Sequence, residues 1–66
     1  MATKSFTGTG YNPSAARKNA DDQVDDFIQD EKQAGKNIVE DDRIQEGTPQ
    51  TASYYYCQLK LKYHYD

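Results

Sequence analysis

The chain has 66 residues, of which 35% are hydrophobic and 29% charged, and its formal net charge is −3. A chain of this length accommodates one domain and buries only about 60% of its unfolded surface, which predicts a thin core and disfavours a deep catalytic pocket. The acidic balance disfavours attraction of the whole protein to nucleic acid or to an anionic membrane, although it leaves room for a local basic patch.

The N-terminal segment, residues 1–18, is interpreted as an arm that is either flexible or a short edge strand near residues 3–7. Its Thr, Phe and Tyr residues suit a strand, whereas Gly8 and Gly10 weaken one. Three basic residues and no acid lie within residues 1–19. The rest of the chain, residues 19–66, is interpreted as a single small domain.

A helix is predicted over about residues 20–34. Asn19 is the favoured N-cap because its side-chain oxygen can accept a hydrogen bond from the free amides of the first turn. Asn12 followed by Pro13 is an alternative start, since proline suits the first helical position. Gly35 is expected to adopt the left-handed conformation that ends many helices.

The predicted helix is amphipathic, with an apolar arc made of Ala20, Val24, Phe27, Ile28 and Ala34. Glu31 also falls within this arc. We expect it either to pair with a lysine or a tyrosine hydroxyl at the edge of the core or to lie at the margin with its stem covering apolar atoms. Most of the remaining helix surface is acidic, with Asp21, Asp22, Asp25, Asp26 and Asp30. Helical spacing of acids does not build the oxygen cage of a calcium loop, so these side chains are interpreted as a solvated surface.

Two strands, residues 38–46 and 53–65, are predicted to follow the helix and to form an antiparallel hairpin around a loop at residues 47–50. In the last strand, successive side chains fall alternately into two sets, one for each face of the sheet. One set is predicted to face the core and consists of Tyr55, Cys57, Leu59, Leu61, Tyr63 and Tyr65. The other set consists of Tyr54, Tyr56, Gln58, Lys60, Lys62 and His64.

These elements predict an α+β fold, with one helix packed on a small two- or three-stranded antiparallel sheet in the order (β)-α-β-β. The predicted core consists of Val24, Phe27, Ile28, Ile38, Ile44, Cys57, Leu59, Leu61 and Tyr63. Ile38 and Ile44 have the same parity and Val39 the opposite one, which indicates a β-bulge or a short apolar start. A hairpin alone is marginal in water, so the sheet is expected to need either the N-terminal strand or a second copy of the protein. Because the last strand is longer than its partner, it is expected to leave a free edge that invites strand addition or dimerisation.

The candidate binding residues are Tyr54, Tyr56, Lys60, Lys62 and His64, which share one face of the last strand. Tyrosine is enriched at protein interfaces, so this face predicts a protein partner or a homodimer. Aromatic side chains beside lysines also suit single-stranded nucleic acid, which is the alternative. A third interpretation is that this face is an ordinary, partly solvated surface made of residues that favour strands. We therefore expect a small interaction or accessory protein that acts through its tyrosine-rich sheet face or an exposed strand edge.

Catalytic, metal and cofactor sites are not expected. Cys57 and His64 are predicted to point to opposite faces of the strand, which disfavours a catalytic pair, and two ligands do not make a structural zinc site. Cys57 is the single cysteine. Together with the absence of a hydrophobic run in residues 1–10 and of an apolar stretch of about 20 residues, this predicts a cytoplasmic protein without a membrane span.

Overall fold

A computed structural model describes residues 1–47 and 54–66 of the chain. Its elements are β1 (Ala2–Gly10), α1 (Pro13–Gln33), β2 (Ile38–Gly47) and β3 (Tyr55–Tyr65). The strands form one antiparallel sheet, and α1 packs on one face of it. The predicted α+β fold is confirmed. The predicted loop at residues 47–50 was to begin with Gly47, which is instead the last residue of β2. The rest of that loop and the predicted strand start at residue 53 lie outside the described residues.

The sheet has the order β1-β3-β2, so the last strand is central. β1 pairs with Tyr55–Tyr63 of β3, and β2 pairs with Gln58–Tyr65 of β3. Both edges of β3 are therefore occupied by a neighbouring strand. The prediction of a free edge on the last strand is therefore wrong, because the N-terminal arm supplies the missing partner. That arm is an edge strand of nine residues, longer than the segment 3–7 suggested by the sequence.

The helix begins earlier than predicted, at Pro13, and Asn12 is its N-cap. The Ala15 amide donates to Asn12 Oδ1 at 2.7 Å, and Pro13 brings a backbone angle already suited to the first turn. Asn19, favoured as the cap, lies inside the helix. The end of α1 is as predicted, since Gly35 has a φ of 84° and its amide donates to the Lys32 carbonyl at 3.0 Å.

The core lies between α1 and the helix-facing side of β1 and β3. Its buried cluster consists of Phe6, Ala16, Ala20, Val24, Cys57, Leu59 and Leu61. Ile38 is also buried, whereas Phe27, Ile28 and Tyr63 are half-buried against the cluster. Placing Ile44 in the core was wrong. The register shifts between Glu40 and Asp42, and one extra residue there turns Ile44 to the face opposite α1.

β1 and α1 approach each other closely because the residues between them are small. A Cβ atom on Gly8 would overlap the Ala16 carbonyl oxygen and the Ala20 backbone. Ala16 and Ala20 themselves are completely buried. The glycines that weaken β1 as an isolated strand are therefore what allows it to lie against the helix.

α1 contacts β2 far less than it contacts β1 or β3, and Arg43 spans the distance. Its guanidinium donates to Asp21 Oδ1 at 2.9 Å, to Asp25 Oδ1 at 3.1 Å and to Glu40 Oε1 at 2.8 Å. Burial alone would raise the pKa of Asp21, but hydrogen bonds from Arg43 and Arg17 outweigh it and lower that pKa. Two of the helix acids interpreted as solvated thus bind an arginine from the sheet.

At the other end of α1, Glu31 has the partners that were expected of it. Lys36 Nζ lies 3.1 Å from Glu31 Oε2, and the Tyr65 hydroxyl donates to Glu31 Oε1 at 3.0 Å. The hydrogen bond from Lys36, followed by that from Tyr65, lowers the pKa of Glu31. An acid within the apolar arc is therefore tied to the rim of the core.

Candidate interaction surface

Within the described residues, α1 is the layer that covers the sheet, and it leaves the opposite face open. This open face carries the outward side chains of all three strands. β1 supplies Thr3, Ser5, Thr7 and Thr9. β3 supplies Tyr56, Gln58, Lys60, Lys62 and His64, preceded by Tyr54, and β2 supplies Val39, Asp41, Asp42, Ile44 and Glu46. The alternation of β3 thus places Tyr56, Lys60, Lys62 and His64 along one face, as its period predicts, and the ring of Tyr54 lies beside that of Tyr56.

Two tyrosines mark one end of the open face. The rings of Tyr54 and Tyr56 have centroids 6.3 Å apart and are tilted by 50°. Tyr54 is 45% exposed and Tyr56 is half-buried beside Thr9 of β1. An aromatic pair of this kind offers apolar area with hydroxyl groups that can form hydrogen bonds at its rim.

The basic residues of the open face lie next to acids of β2. Lys60 Nζ is 3.6 Å from Glu46 Oε2, and His64 Nδ1 is 2.8 Å from Asp41 Oδ2. Lys62 pairs in register with Asp42. The sequence reasoning missed these acids because their orientation depends on the bulge in β2. The surface is consequently of mixed charge and not a basic patch.

These neighbours favour the charged form of His64. The hydrogen bond to the Asp41 carboxylate raises the pKa of His64 above its ordinary value, despite the opposing effect of desolvation. Asp66 Oδ1 lies 3.5 Å from His64 Nε2 and adds to the shift. His64 is therefore a hydrogen-bond partner of Asp41 at the end of the sheet, and an ion-pair partner when it is protonated.

Apolar side chains lie among these charges. Ile44 is half-buried in the middle of β2, opposite Lys60, and Val39 is 36% exposed opposite His64. A hydrophobic residue on the uncovered side of a sheet gains nothing from the protein's own core. Ile44 and Val39 are thus aliphatic positions on this face at which contact with a second molecule would bury apolar area.

The free edges of the sheet are less accessible to another strand than its face. On β1, the Thr9 amide donates to Asn19 Oδ1 at 3.1 Å and Gln23 Nε2 donates to the Thr7 carbonyl at 2.7 Å. These helix side chains occupy backbone groups that an added strand would need. On β2, register shifts at two places interrupt the ladder, and bulged edges pair poorly.

The rest of the described chain offers little chemistry. Cys57 is buried on the helix side of β3, and burial raises the pKa of its thiol, which makes it a poor nucleophile. Residues 1–47 and 54–66 contain no group of three or more acids, histidines or cysteines arranged to hold a metal ion. Across the same residues, no helix has both the length and the apolar character needed to cross a bilayer.

No protein-family model matches the chain, and no curated protein or solved structure matches it either. Function is therefore inferred from the geometry of the open face.

Proposed function

We propose that the protein is a non-enzymatic interaction module that binds a protein surface through its open face. The observation that carries this proposal is a whole sheet face left uncovered by α1, with Ile44 on the edge strand β2 and the Tyr54–Tyr56 pair at one end. Tyrosine and exposed aliphatic residues on one flat surface are typical of protein interfaces. A cytoplasmic location stays a prediction.

The charges of the open face support a protein partner over a nucleic acid. Binding to a phosphate backbone requires lysines that are free to replace counterions. Lys60 already has Glu46 as its neighbour, and Lys62 faces Asp42 across the strands. The acidic side chains that lie among the basic side chains of the open face repel phosphates, whereas a protein surface of mixed charge can complement both kinds of side chain.

Single-stranded nucleic acid is the second candidate, because the Tyr54–Tyr56 pair offers rings on which bases could stack. An amide NMR titration with a mixed-sequence oligonucleotide tests it. If nucleic acid is the ligand, shifts concentrate at residues 54–64 and weaken with added salt and with Tyr56→Ala. The proposed protein-binding role predicts an unchanged spectrum.

Photo-crosslinking tests the proposed function directly. A benzophenone amino acid replaces Ile44, on the open face, or Gln29, an exposed residue of α1, in cells that make the protein. We expect protein adducts with the probe at position 44 and few with the probe at position 29. The Gln29 variant is the matched control because it carries the same probe on the opposite side of the molecule.

The composition of the adducts decides between the candidates. Adducts that contain protein support the proposed function, whether the captured chain is a second copy or another protein. Nuclease-sensitive adducts support the nucleic-acid alternative. Equal labelling from both positions, or no adduct from position 44, would overturn the proposal.

A further inference from the structure

We propose that the partner of the open face is a second copy of this chain, bound in a symmetric dimer through the β2–β3 half of the face. This inference rests on the proposed function, namely that the open face binds protein, and it names the occupant. Charge complementarity, the position of Ile44 and the protection of the strand edges support a second copy as the occupant.

The open face carries an acidic column beside a basic column. Asp41, Asp42 and Glu46 lie along β2, and Lys60 and Lys62 lie along β3. Neighbouring strands are about 4.8 Å apart. A second copy that is turned over and shifted sideways by one strand spacing therefore places its acidic column on the basic column of the first copy.

This placement corresponds to a two-fold axis that runs parallel to the strands between β2 and β3. Residues paired in register lie at the same height, so Lys62 of one copy faces Asp42 of the second copy, and the contact occurs twice. Sheets packed face to face are about 10 Å apart, a distance that a lysine and an aspartate side chain span together.

Ile44 is the next residue after Asp42 on the open face of β2, and it lies beside the same two-fold axis. It is paired in register with Lys60, so in the dimer each Ile44 lies on the aliphatic stem of Lys60 from the second copy. Each Ile44 is also next to the axis and hence near its own symmetry mate. The half-buried isoleucine of the single chain thereby becomes the apolar centre of the interface, flanked by paired charges.

The edges of the sheet favour this face-to-face mode over strand addition. Asn19 and Gln23 occupy backbone groups of β1, and the register shifts interrupt β2. Small domains commonly gain stability by oligomerising. Two overlapping strands cover only about 10 Å by about 26 Å in projection. That is smaller than a standard interface, so the dimer belongs with weak, concentration-dependent contacts.

Charge reversal with rescue by mixing tests the dimer. Asp42→Lys leaves two lysines facing each other at each contact, and Lys62→Glu leaves two acids. Each variant alone is expected to weaken self-association by about tenfold or more because like charges are opposed. An equal mixture restores association, since every contact in the mixed dimer again joins a lysine to an acid. Sedimentation equilibrium at several concentrations measures all three samples.

The exposed ion pair between Lys18 and Asp22 provides the matched control. Its N–O distance is 3.3 Å, and it lies on α1, away from the open face. Lys18→Glu and Asp22→Lys change the net charge by the same amounts as the test variants. We expect both to associate like the unchanged protein, with no additional gain on mixing.

Three results would overturn the dimer. They are a monomer at every concentration, unchanged association of both reversed variants, and a mixture no stronger than its components. If a reversed variant fails to fold, the crosslink from position 44 remains as a readout, and it should give a species of twice 7.5 kDa. Crosslinks to another protein together with a strictly monomeric chain would reject the dimer but retain the proposed function.

Discussion

α1 contacts the two edge strands of the sheet in opposite ways. Against β1, Gly8 lies directly on the backbone of Ala16 and Ala20, with no side chain between them. Against β2, the helix stands off, and Arg43 reaches across to Asp21 and Asp25. One strand is held by close apolar packing and the other by a long, charged side chain.

The difference determines what each contact tolerates. Close packing has no room for added volume, and its strength depends little on salt or pH. A half-exposed ion cluster tolerates changes of shape but is weakened by salt and by protonation of its acids. The β1 side should therefore respond to changes of volume and the β2 side to changes of charge.

The largest expected effect is that of Gly8→Val. The added side chain would overlap the α1 backbone, so β1 and the helix have to separate, which costs about 3 kcal/mol, a large fraction of the stability of a domain this small. Thermal unfolding followed by circular dichroism measures the change. Ser5→Ala, at an exposed position of the same strand, should change the stability little, and equal effects would contradict the packing argument.

Arg43→Met tests the contact between α1 and β2. The variant keeps an apolar stem but removes the charge that joins Asp21, Asp25 and Glu40, and Arg43 is only 18% exposed. We expect a loss of about 1–2 kcal/mol, between the values for surface and buried pairs. Lys18→Met, which breaks an exposed pair, should cost about 0.5 kcal/mol or less. Urea unfolding at low and high salt should show salt dependence in the parent and little in Arg43→Met.

A smaller effect is expected in the loss of stability at acidic pH. The folded-state pKa of Asp21 is lowered, so its contribution is present above the ordinary carboxyl pKa near 3.8 and is lost as the pH falls through the folded value. Arg43→Met should reduce this contribution. Stability measured from pH 6 down to pH 2 would then fall less steeply in the variant, and identical slopes would show that Asp21 does not depend on Arg43.

The smallest effect concerns His64 of β3, on the open face of the sheet. Its pKa is raised by Asp41, so its contribution to stability is complete below the ordinary value near 6.5 and is lost as the pH rises through the folded value. NMR titration of the imidazole should give a pKa above 6.5 in the parent. Asp41→Asn should return it toward the ordinary value, whereas Asp42→Asn, the neighbouring acid, should have less effect.

The features that were predicted correctly depend on local patterns. The period of Val24 and the residues around it indicated the helix, and the alternation around Leu59 and Leu61 indicated a half-buried strand. Gly35 marked the helix end because few other residues accept a positive φ. Each signal lies within a few residues of the structure that it predicts.

The features that were missed depend on contacts between distant segments. Phe6 gave no sign that β1 would pair with β3, more than 50 positions away, because pairing partners leave no local pattern. The single extra residue in β2 exchanged Ile44 for Arg43 on the helix side. That exchange also placed acids beside the lysines of the candidate site, so the composition of the open face could not be predicted without the register.

The central position of β3 has a consequence for the order of folding. Among the described strands, β1 and β2 are not neighbours in the sheet, and both pair with β3, which follows them in the chain. While residues 1–47 emerge from a ribosome, α1 can form, but neither edge strand has a partner with which to pair. β1 can pair in the sheet only after β3 has been synthesised. We therefore expect the sheet to form in one late step, slowed by the entropy cost of joining segments that are distant in sequence.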